Sequence, residues 1–246
     1  MLGVDPIHSE SIKNNTAKLI VSSGSVVPFS GDAIVNAANE ECLGGGGVDG
    51  AISNAGGDSL YEARLSLPIK PGTSTTRVDT GSAAITIGGQ LNASWCIHAV
   101  GPNYWSCSNE GEGDKLLSSA YKASMELAKQ QTDPPIKTIA FSLLSAGVFR
   151  GKRSLKEVLR IAVKAVKGSA YEGLEEVHLV AFKESEQKLL VKVCAEEKEE
   201  EEEEGEEEGE DEEEDEEEDE AIRKRKAEES DGNGGGDKKS KGNSGT

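Results

Sequence analysis

The chain has 246 residues and a formal net charge of −19. This charge is uneven, because residues 195–246 contain 26 acidic and eight basic residues, a net charge of −18, which leaves −1 for residues 1–194. The near-neutral part is long enough for one domain with a sizeable core. It contains no apolar run that approaches the roughly 20 residues needed to span a membrane. No N-terminal stretch combines a basic flank with an apolar core, as a secretory signal would. We therefore expect neither membrane insertion nor secretion.

The four cysteines, Cys42, Cys96, Cys107 and Cys194, show no paired or metal-binding spacing. This pattern predicts free thiols in a reducing compartment. We expect neither a bound metal nor a cofactor.

The N-terminal part begins with residues 1–16, which are polar and without pattern, and we expect a loose lead-in there. Apolar runs rich in β-formers predict strands at Ala17–Ser22 and Ala33–Val35. Small residues at Gly50–Ala55 and the apolar spacing of Asp58–Ser66 predict helices.

The rest of the body alternates strands with helices. The predicted strands are Ser82–Ile87, Trp95–Val100, Thr138–Leu144 and Glu176–Phe182, and the predicted helices are Asp114–Gln131, Ser154–Val166 and Glu184–Val193. A polar loop is expected over Asn103–Gly113. Because several strands are wholly apolar, we expect an α/β layer fold with a largely parallel sheet. Ligand clefts in such sheets lie at the carboxyl ends of the strands.

Residues 195–246 have the composition of a disordered acidic tail, because Glu196–Glu220 is almost entirely Glu and Asp. The acidic run either keeps the protein soluble and steers encounters, or binds histones or other basic proteins. A basic cluster, Arg223–Lys226, follows and predicts nuclear or nucleocytoplasmic localisation.

A glycine-rich stretch follows the strand at Ala33–Val35. Asn36 and Asn39 come first, then four glycines at Gly44–Gly47, then Asp49 before a helical segment. This order brings backbone N–H groups and a helix N-terminus to a phosphate. The alternative is a flexible hairpin loop. The two amides before the glycines and the carboxylate after them favour a ligand-binding loop.

Two blocks, Asn36–Asn39 and Gly44–Ile52, resemble the signature of the macrodomain family. They are most similar to its MacroD-like branch, which removes ADP-ribose from proteins. The resemblance extends more loosely to Cys194 through Cys96–Pro102 and Ser145–Phe149. It implies a domain over residues 17–194 with three α/β/α layers and a mixed, largely parallel central sheet.

The resemblance implies that Asp49 and Asn39 are catalytic. Asp49 would position or activate the water that attacks the anomeric carbon of the distal ribose, and Asn39 would contact that ribose. From the residues alone, Asp49 also suits the first turn of a helix, where a carboxylate offsets the dipole, and the two roles are not exclusive. Asn39 alone would more often be a turn residue after a strand.

Further residues would bind ADP-ribose. The glycine loop and a second loop that includes the Ser145 hydroxyl would hold the diphosphate, and Phe182 would stack on adenine unless it is a core residue. Asn36 would also brace its loop, and His98 is expected to be a core histidine. The ligand-binding set is Ser25, Val26, Asn36, Gly45, Gly46, Gly47, Val48, Ser145, Ala146, Gly147, Val148, Phe149 and Phe182.

Three residues depart from the family pattern. Ser25 stands where relatives have an Asp that accepts a hydrogen bond from adenine, so this bond should be weaker. Ser53 stands where relatives often have His, and Arg150 stands where the second loop usually has Gly. The Arg150 side chain would either clamp phosphate or obstruct the cleft.

Two functions fit these residues. The first is a hydrolase that removes mono-ADP-ribose from Asp or Glu side chains of proteins and deacetylates O-acetyl-ADP-ribose. The second is a reader that binds ADP-ribose without cleaving it. Asp49 favours the hydrolase, since a reader does not need a carboxylate there. The expected partners are ADP-ribose and ADP-ribosylated proteins, and we expect a monomer.

Overall fold

The computed structural model describes residues 2–13 and 16–203. The chain divides into two compact units, Met1–Glu197 and Lys198–Thr246. The strands of the first unit are β1 (Asp5–Ile12), β2 (Ala17–Ser23), β3 (Ala33–Ala37), β4 (Ala83–Ile87), β5 (Trp95–Ala99), β6 (Thr138–Ser142) and β7 (Glu176–Ala181). The helices are α1 (Gly47–Leu65), α2 (Glu110–Gln130), α3 (Leu155–Lys167) and α4 (described over residues 184–203), with a short 3₁₀ turn at Val148–Arg150.

The seven strands form one mixed sheet in the order β1-β2-β7-β6-β3-β5-β4. The two outer pairs, β1 with β2 and β4 with β5, are antiparallel, and the four inner pairs are parallel. The carboxyl ends of β2, β7, β6 and β3 therefore meet at one edge of the sheet.

Alternating residues of the strands pack on opposite faces, as the two-residue period of a strand requires. Val35 of β3 belongs to the core that includes α2 and α3, whereas Ile34 belongs to the core beneath α1. The sheet is thus the middle of three layers, which confirms the predicted three-layer α/β fold with a mixed, largely parallel sheet.

The prediction of a loose lead-in over residues 1–16 is wrong, because Asp5–Ile12 forms the edge strand β1. Most of its side chains are exposed and only Ile12 is fully buried, so the sequence of this strand shows no apolar periodicity. The predicted loop over Asn103–Gly113 is also too long, because α2 already begins at Glu110. Asn109 caps that helix by accepting a 2.9 Å hydrogen bond from the backbone N–H of Glu112.

The predicted end of the domain at residue 194 is too early. Residues 195–203 are helical rather than irregular, and Glu196 and Glu197 form ion pairs with Arg160 of α3 at 3.3 and 3.0 Å. The rest of the predicted acidic tail, including the cluster Arg223–Lys226, lies outside the described residues. Within the described part of the chain, no helix is both long and apolar enough to cross a membrane.

Candidate functional site

The predicted site residues converge because of the strand order. Ser25 follows β2, Phe182 follows β7, Ser145 follows β6 and Asn39 follows β3, and these four parallel strands are neighbours. Their carboxyl ends form the edge where open α/β sheets bind ligands. Residues far apart in the chain therefore lie along one cleft.

The glycine loop leads directly into α1. Gly44 and Gly47 have φ values of +117° and +61°, which side chains other than glycine rarely adopt. The helix begins at Gly47, and its N-cap residue, Gly46, makes no side-chain capping bond. Gly45, Gly46 and Gly47 are exposed, and the N-cap glycine has no side chain to accept from the first N–H groups of α1. Such a terminus is suited to bind an anion.

Asp49 lies in the first turn of α1 and is only 3% exposed. Its Oδ1 accepts hydrogen bonds from Nδ2 of Asn36 at 2.8 Å and from Nη2 of Arg64 at 2.6 Å. Its Oδ2 is buried and has no hydrogen-bond partner among residues 2–13 and 16–203. A methyl group on Gly45 would lie 3.0 Å from this Oδ2, so the second oxygen faces the glycine loop.

Arg64 is the site residue that the sequence did not reveal. It is 1% exposed, and besides Asp49 its guanidinium donates to Oγ of Ser53 at 2.7 Å and to the carbonyl of Cys42. The Ser53 hydroxyl in turn donates to the Asp49 carbonyl at 2.8 Å. Ser53, which stands where relatives often have His, is thus part of a buried network around the carboxylate.

The two asparagines of the loop have structural roles. Asn39 shapes the turn, since its Oδ1 accepts from the N–H groups of Glu41 and Cys42, both at 3.1 Å, and its Nδ2 donates to Gly44 at 2.9 Å. Asn36 is fully buried and holds Asp49, which agrees with a bracing role. Direct contact of either side chain with a ligand stays a prediction.

His98 is a buried core histidine, as expected. Its Nε2 lies 2.9 Å from Oγ1 of Thr86, and its Nδ1 lies 3.3 Å from Nδ2 of Asn36. Burial, and secondarily the charge of Arg64, lowers the pKa of His98 to about 3. The ring is therefore neutral at physiological pH, and it contacts the same Asn36 amide that holds Asp49.

The second loop, residues 145–149, follows β6. Ser145 has a φ of +53°, and its hydroxyl donates to the carbonyl of Pro102 at 2.8 Å. This hydroxyl joins two loops and is not the free phosphate donor that we expected. Ala146 is buried, whereas Gly147, Val148 and Phe149 are exposed. Backbone N–H groups of this loop therefore remain available to a ligand.

Arg150 does not extend toward the glycine loop. Its Nη1 donates to the carbonyl of Arg153 at 2.6 Å, so the side chain turns back on its own loop. Neither the clamping nor the obstructing role is seen in this arrangement.

The opposite end of the cleft contains Phe182 and Ser25. Phe182 is 76% exposed, so the alternative of a core phenylalanine is wrong. The Ser25 hydroxyl accepts from the N–H of Val27 at 3.2 Å, and Val26 is buried. Asp32 precedes β3 and accepts hydrogen bonds from residues 137 and 138, at the other edge of the sheet. It cannot replace the missing Asp at position 25.

A cavity of about 580 Å³ lies beside Asn39 and the second loop. Its walls include Asn39, Val100, Gly101, Asn103 and Phe149. A more open groove of about 1050 Å³ lies on α2 and residues 168–172 and contains none of the predicted site residues.

All four cysteines are free, as predicted. Burial raises the pKa of Cys42 to about 11 and those of Cys96 and Cys194 to about 12, so these three are neutral thiols. In the described ranges, no three His, Cys, Asp or Glu side chains are grouped so that they could hold a metal ion.

Residues 35–162 match the family model described as "Macro domain". The chain belongs to the macrodomain family. It is 39% identical over 181 residues to a macro domain-containing protein of Caldanaerobacter subterraneus subsp. tengcongensis, which covers 73% of this chain and 97% of the relative. It is 35% identical over 184 residues to the O-acetyl-ADP-ribose deacetylase of Salmonella gallinarum, covering 74% of this chain and 97% of that enzyme.

Solved structures agree with the macrodomain assignment. The Oceanobacillus iheyensis macrodomain with ADP is 28% identical, with a TM-score of 0.65, and the match covers 76% of this chain and 95% of that one. The Trypanosoma brucei macrodomain in complex with ADP-ribose is 29% identical, with a TM-score of 0.62, and the match covers 78% and 74% of the two chains.

Proposed function

We propose that this macrodomain binds ADP-ribose and hydrolyses esters of it, removing mono-ADP-ribose from Asp or Glu side chains of proteins and deacetylating O-acetyl-ADP-ribose. The similarity to the Salmonella gallinarum deacetylase supports ester hydrolysis. The complex of the Trypanosoma brucei macrodomain with ADP-ribose supports the ligand.

The observation that carries the proposal is the position of Asp49 behind the glycine loop. One oxygen is fixed by Arg64 and Asn36, and the other is buried beside Gly45 without a partner among the described residues. A reader has no need of a carboxylate at this place, and the bonds to Arg64 and Asn36 use only one of its two oxygens. A hydrolase needs such an oxygen to accept a proton from water.

The diphosphate would lie on the exposed N-terminus of α1 and on the backbone of residues 147–149. The distal ribose would then lie over Gly45, within reach of Oδ2 of Asp49. Water oxygen attacks the anomeric carbon, the bond from that carbon to the acceptor carboxylate oxygen breaks, and the acceptor leaves as a carboxylate. The proton of the water passes to Asp49 and from there to solvent.

The test is the release of ADP-ribose from a protein that carries it on Glu or Asp. We expect turnover by the unmutated chain and a fall of about 10²–10⁴-fold in Asp49→Asn, the usual effect of removing a positioned base. Affinity for free ADP-ribose, measured by calorimetry on the same variant, should change little. Asparagine has the same shape as aspartate, and its side-chain oxygen can still accept a hydrogen bond from Arg64.

The two functions predict different results. Affinity without turnover in the unmutated chain identifies a reader, and turnover that survives Asp49→Asn removes Asp49 from the mechanism. Binding and cleavage of O-acetyl-ADP-ribose in parallel assays would show whether both esters use one site.

A further inference from the structure

We infer that Arg64 is a positioning residue, which a kink in α1 brings to Asp49 so that one carboxylate oxygen is fixed and the other is directed to the ligand. This inference rests on the proposed function and extends it to a residue outside both signature blocks. Arg64 would act only through Asp49 and the loop that it supports, without touching substrate.

The kink is what makes the contact possible. Asp49 and Arg64 are 15 residues apart in one helix, and a straight helix would separate them by about 22 Å, far beyond the reach of an arginine. Gly57 has φ +63° and ψ −163°, a conformation open to glycine, and it breaks α1 into two helical segments. The second segment turns back and places Arg64 beside the first turn.

The turn at residues 88–91 holds the kink in place. The N–H of Gln90 donates to the carbonyl of Gly56 at 2.9 Å, and its side chain lies where a methyl group on Gly57 would meet it at 2.7 Å. A methyl group on Gly89 would meet the Gly56 carbonyl at 2.5 Å. Two glycines, Gly57 and Gly89, thus allow the approach of the turn to the broken helix.

Arg64 then joins three parts of the site. Its guanidinium donates to the Cys42 carbonyl before the glycine loop, to Ser53 in the second turn of α1, and to Oδ1 of Asp49. The planar guanidinium offers fixed donors in one fork, which a lysine cannot reproduce. With Asn36 also on Oδ1, the carboxylate cannot rotate without breaking two buried hydrogen bonds, so Oδ2 stays toward Gly45.

The experiment compares Arg64→Lys and Arg64→Met with a matched control, Arg77→Met. Arg77 also reaches this loop, through the Glu41 carbonyl at 3.3 Å, but it does not contact Asp49. The readouts on the full chain are kcat for release of ester-linked ADP-ribose and affinity for free ADP-ribose. Because a small misplacement of a reacting group typically costs about 10²-fold, we expect such a fall in kcat for Arg64→Met. We expect a smaller fall for Arg64→Lys, affinities within about threefold of the unmutated chain, and no kcat change in the control.

A double variant separates positioning from general destabilisation. If Arg64 acts through Asp49, adding Arg64→Met to Asp49→Asn should lower kcat by less than about threefold further. The inference would be overturned if Arg64→Lys had the same kcat as the unmutated chain. It would also be overturned if Arg64→Met lowered kcat by the same factor in the unmutated chain and in Asp49→Asn. If Arg64→Met does not fold, Arg64→Lys is used in its place for the same comparisons. An inactive unmutated chain would instead overturn the proposed function, so the two failures are distinguishable.

Discussion

Arg160 of α3 and Glu197 of α4 form an ion pair of 3.0 Å in which the Glu197 side chain is 1% exposed. Lys164 lies 3.1 Å from the other oxygen of the same carboxylate. The acidic segment that composition assigns to the tail therefore begins as part of the folded domain.

Substitution of Glu197 by Gln should destabilise the domain, because two cations would lose a buried carboxylate partner. We expect a loss of about 0.5–3 kcal/mol in the free energy of unfolding, measured by urea denaturation. Glu202→Gln is the matched control, since Glu202 pairs with Lys198 on an exposed surface. Equal unfolding midpoints for the two variants would contradict a structural role for Glu197. For the same reason, a chain shortened after residue 203 should be more stable than one shortened after residue 194.

Phe182 should contribute affinity for adenine without contributing to stability, because its ring is largely exposed. Stacking of a base on an aromatic side chain is worth about 1–3 kcal/mol, so Phe182→Ala should weaken ADP-ribose binding by about 5–150-fold. Phe182→Trp should bind about as well as the unmutated chain, and the unfolding midpoints of all three should agree. If Phe182→Ala bound ADP-ribose as tightly as the unmutated chain, adenine would have to bind elsewhere.

Alanine substitutions at Gly45 and Gly46 test where the reacting end of the ligand lies. A methyl group on Gly45 would press on Oδ2 of Asp49 at 3.0 Å and on Nδ2 of Asn39 at 3.3 Å, whereas one on Gly46 would meet nothing within 4 Å. We therefore expect Gly45→Ala to lower kcat by at least about tenfold relative to Gly46→Ala. Indistinguishable rates would show that Oδ2 is not the oxygen that reacts.

The sequence was sufficient for six of the seven strands, with ends within about two residues of those observed, because buried parallel strands are continuous apolar runs. It located Asp49 and the glycine loop through a compact motif. It was insufficient for Arg64, since the pair Gly56–Gly57 signals a break in a helical pattern but not the direction in which the chain turns. The edge strand β1 has no such run for a different reason: most of its side chains are exposed, and the half-buried ones, His8 and Glu10, are polar.

The cluster Arg223–Lys226, outside the described residues, predicts nuclear residence. A fluorescent fusion in which these four residues are alanine should shift to the cytoplasm. Changing Lys238, Lys239 and Lys241 instead removes a similar charge nearby and should leave the distribution unchanged. An unchanged distribution of the first variant would contradict the prediction.

His98 should make the stability of this macrodomain depend on pH. Burial lowers its pKa in the folded protein to about 3, whereas the unfolded chain titrates near 6.5. Below pH 6.5 the unfolded state binds a proton that the folded state does not, so stability is complete above that pH and falls as pH decreases toward 3. Burial also lowers the pKa of His178, which adds a change in the same direction.

The contribution of His98 can be isolated in His98→Gln, because glutamine can keep a hydrogen bond to Thr86 without titrating. Between pH 7.5 and pH 5 the unmutated chain should lose about 1–2 kcal/mol more unfolding free energy than the variant, since one proton changes stability by up to about 1.4 kcal/mol per pH unit. The measurement is a set of urea unfolding curves at each pH for both chains. At pH 7.5 the variant should be the less stable of the two, because it disturbs the contact with Asn36. Parallel pH profiles would mean that His98 takes up a proton in the folded state, which its position between Thr86 and Asn36 opposes.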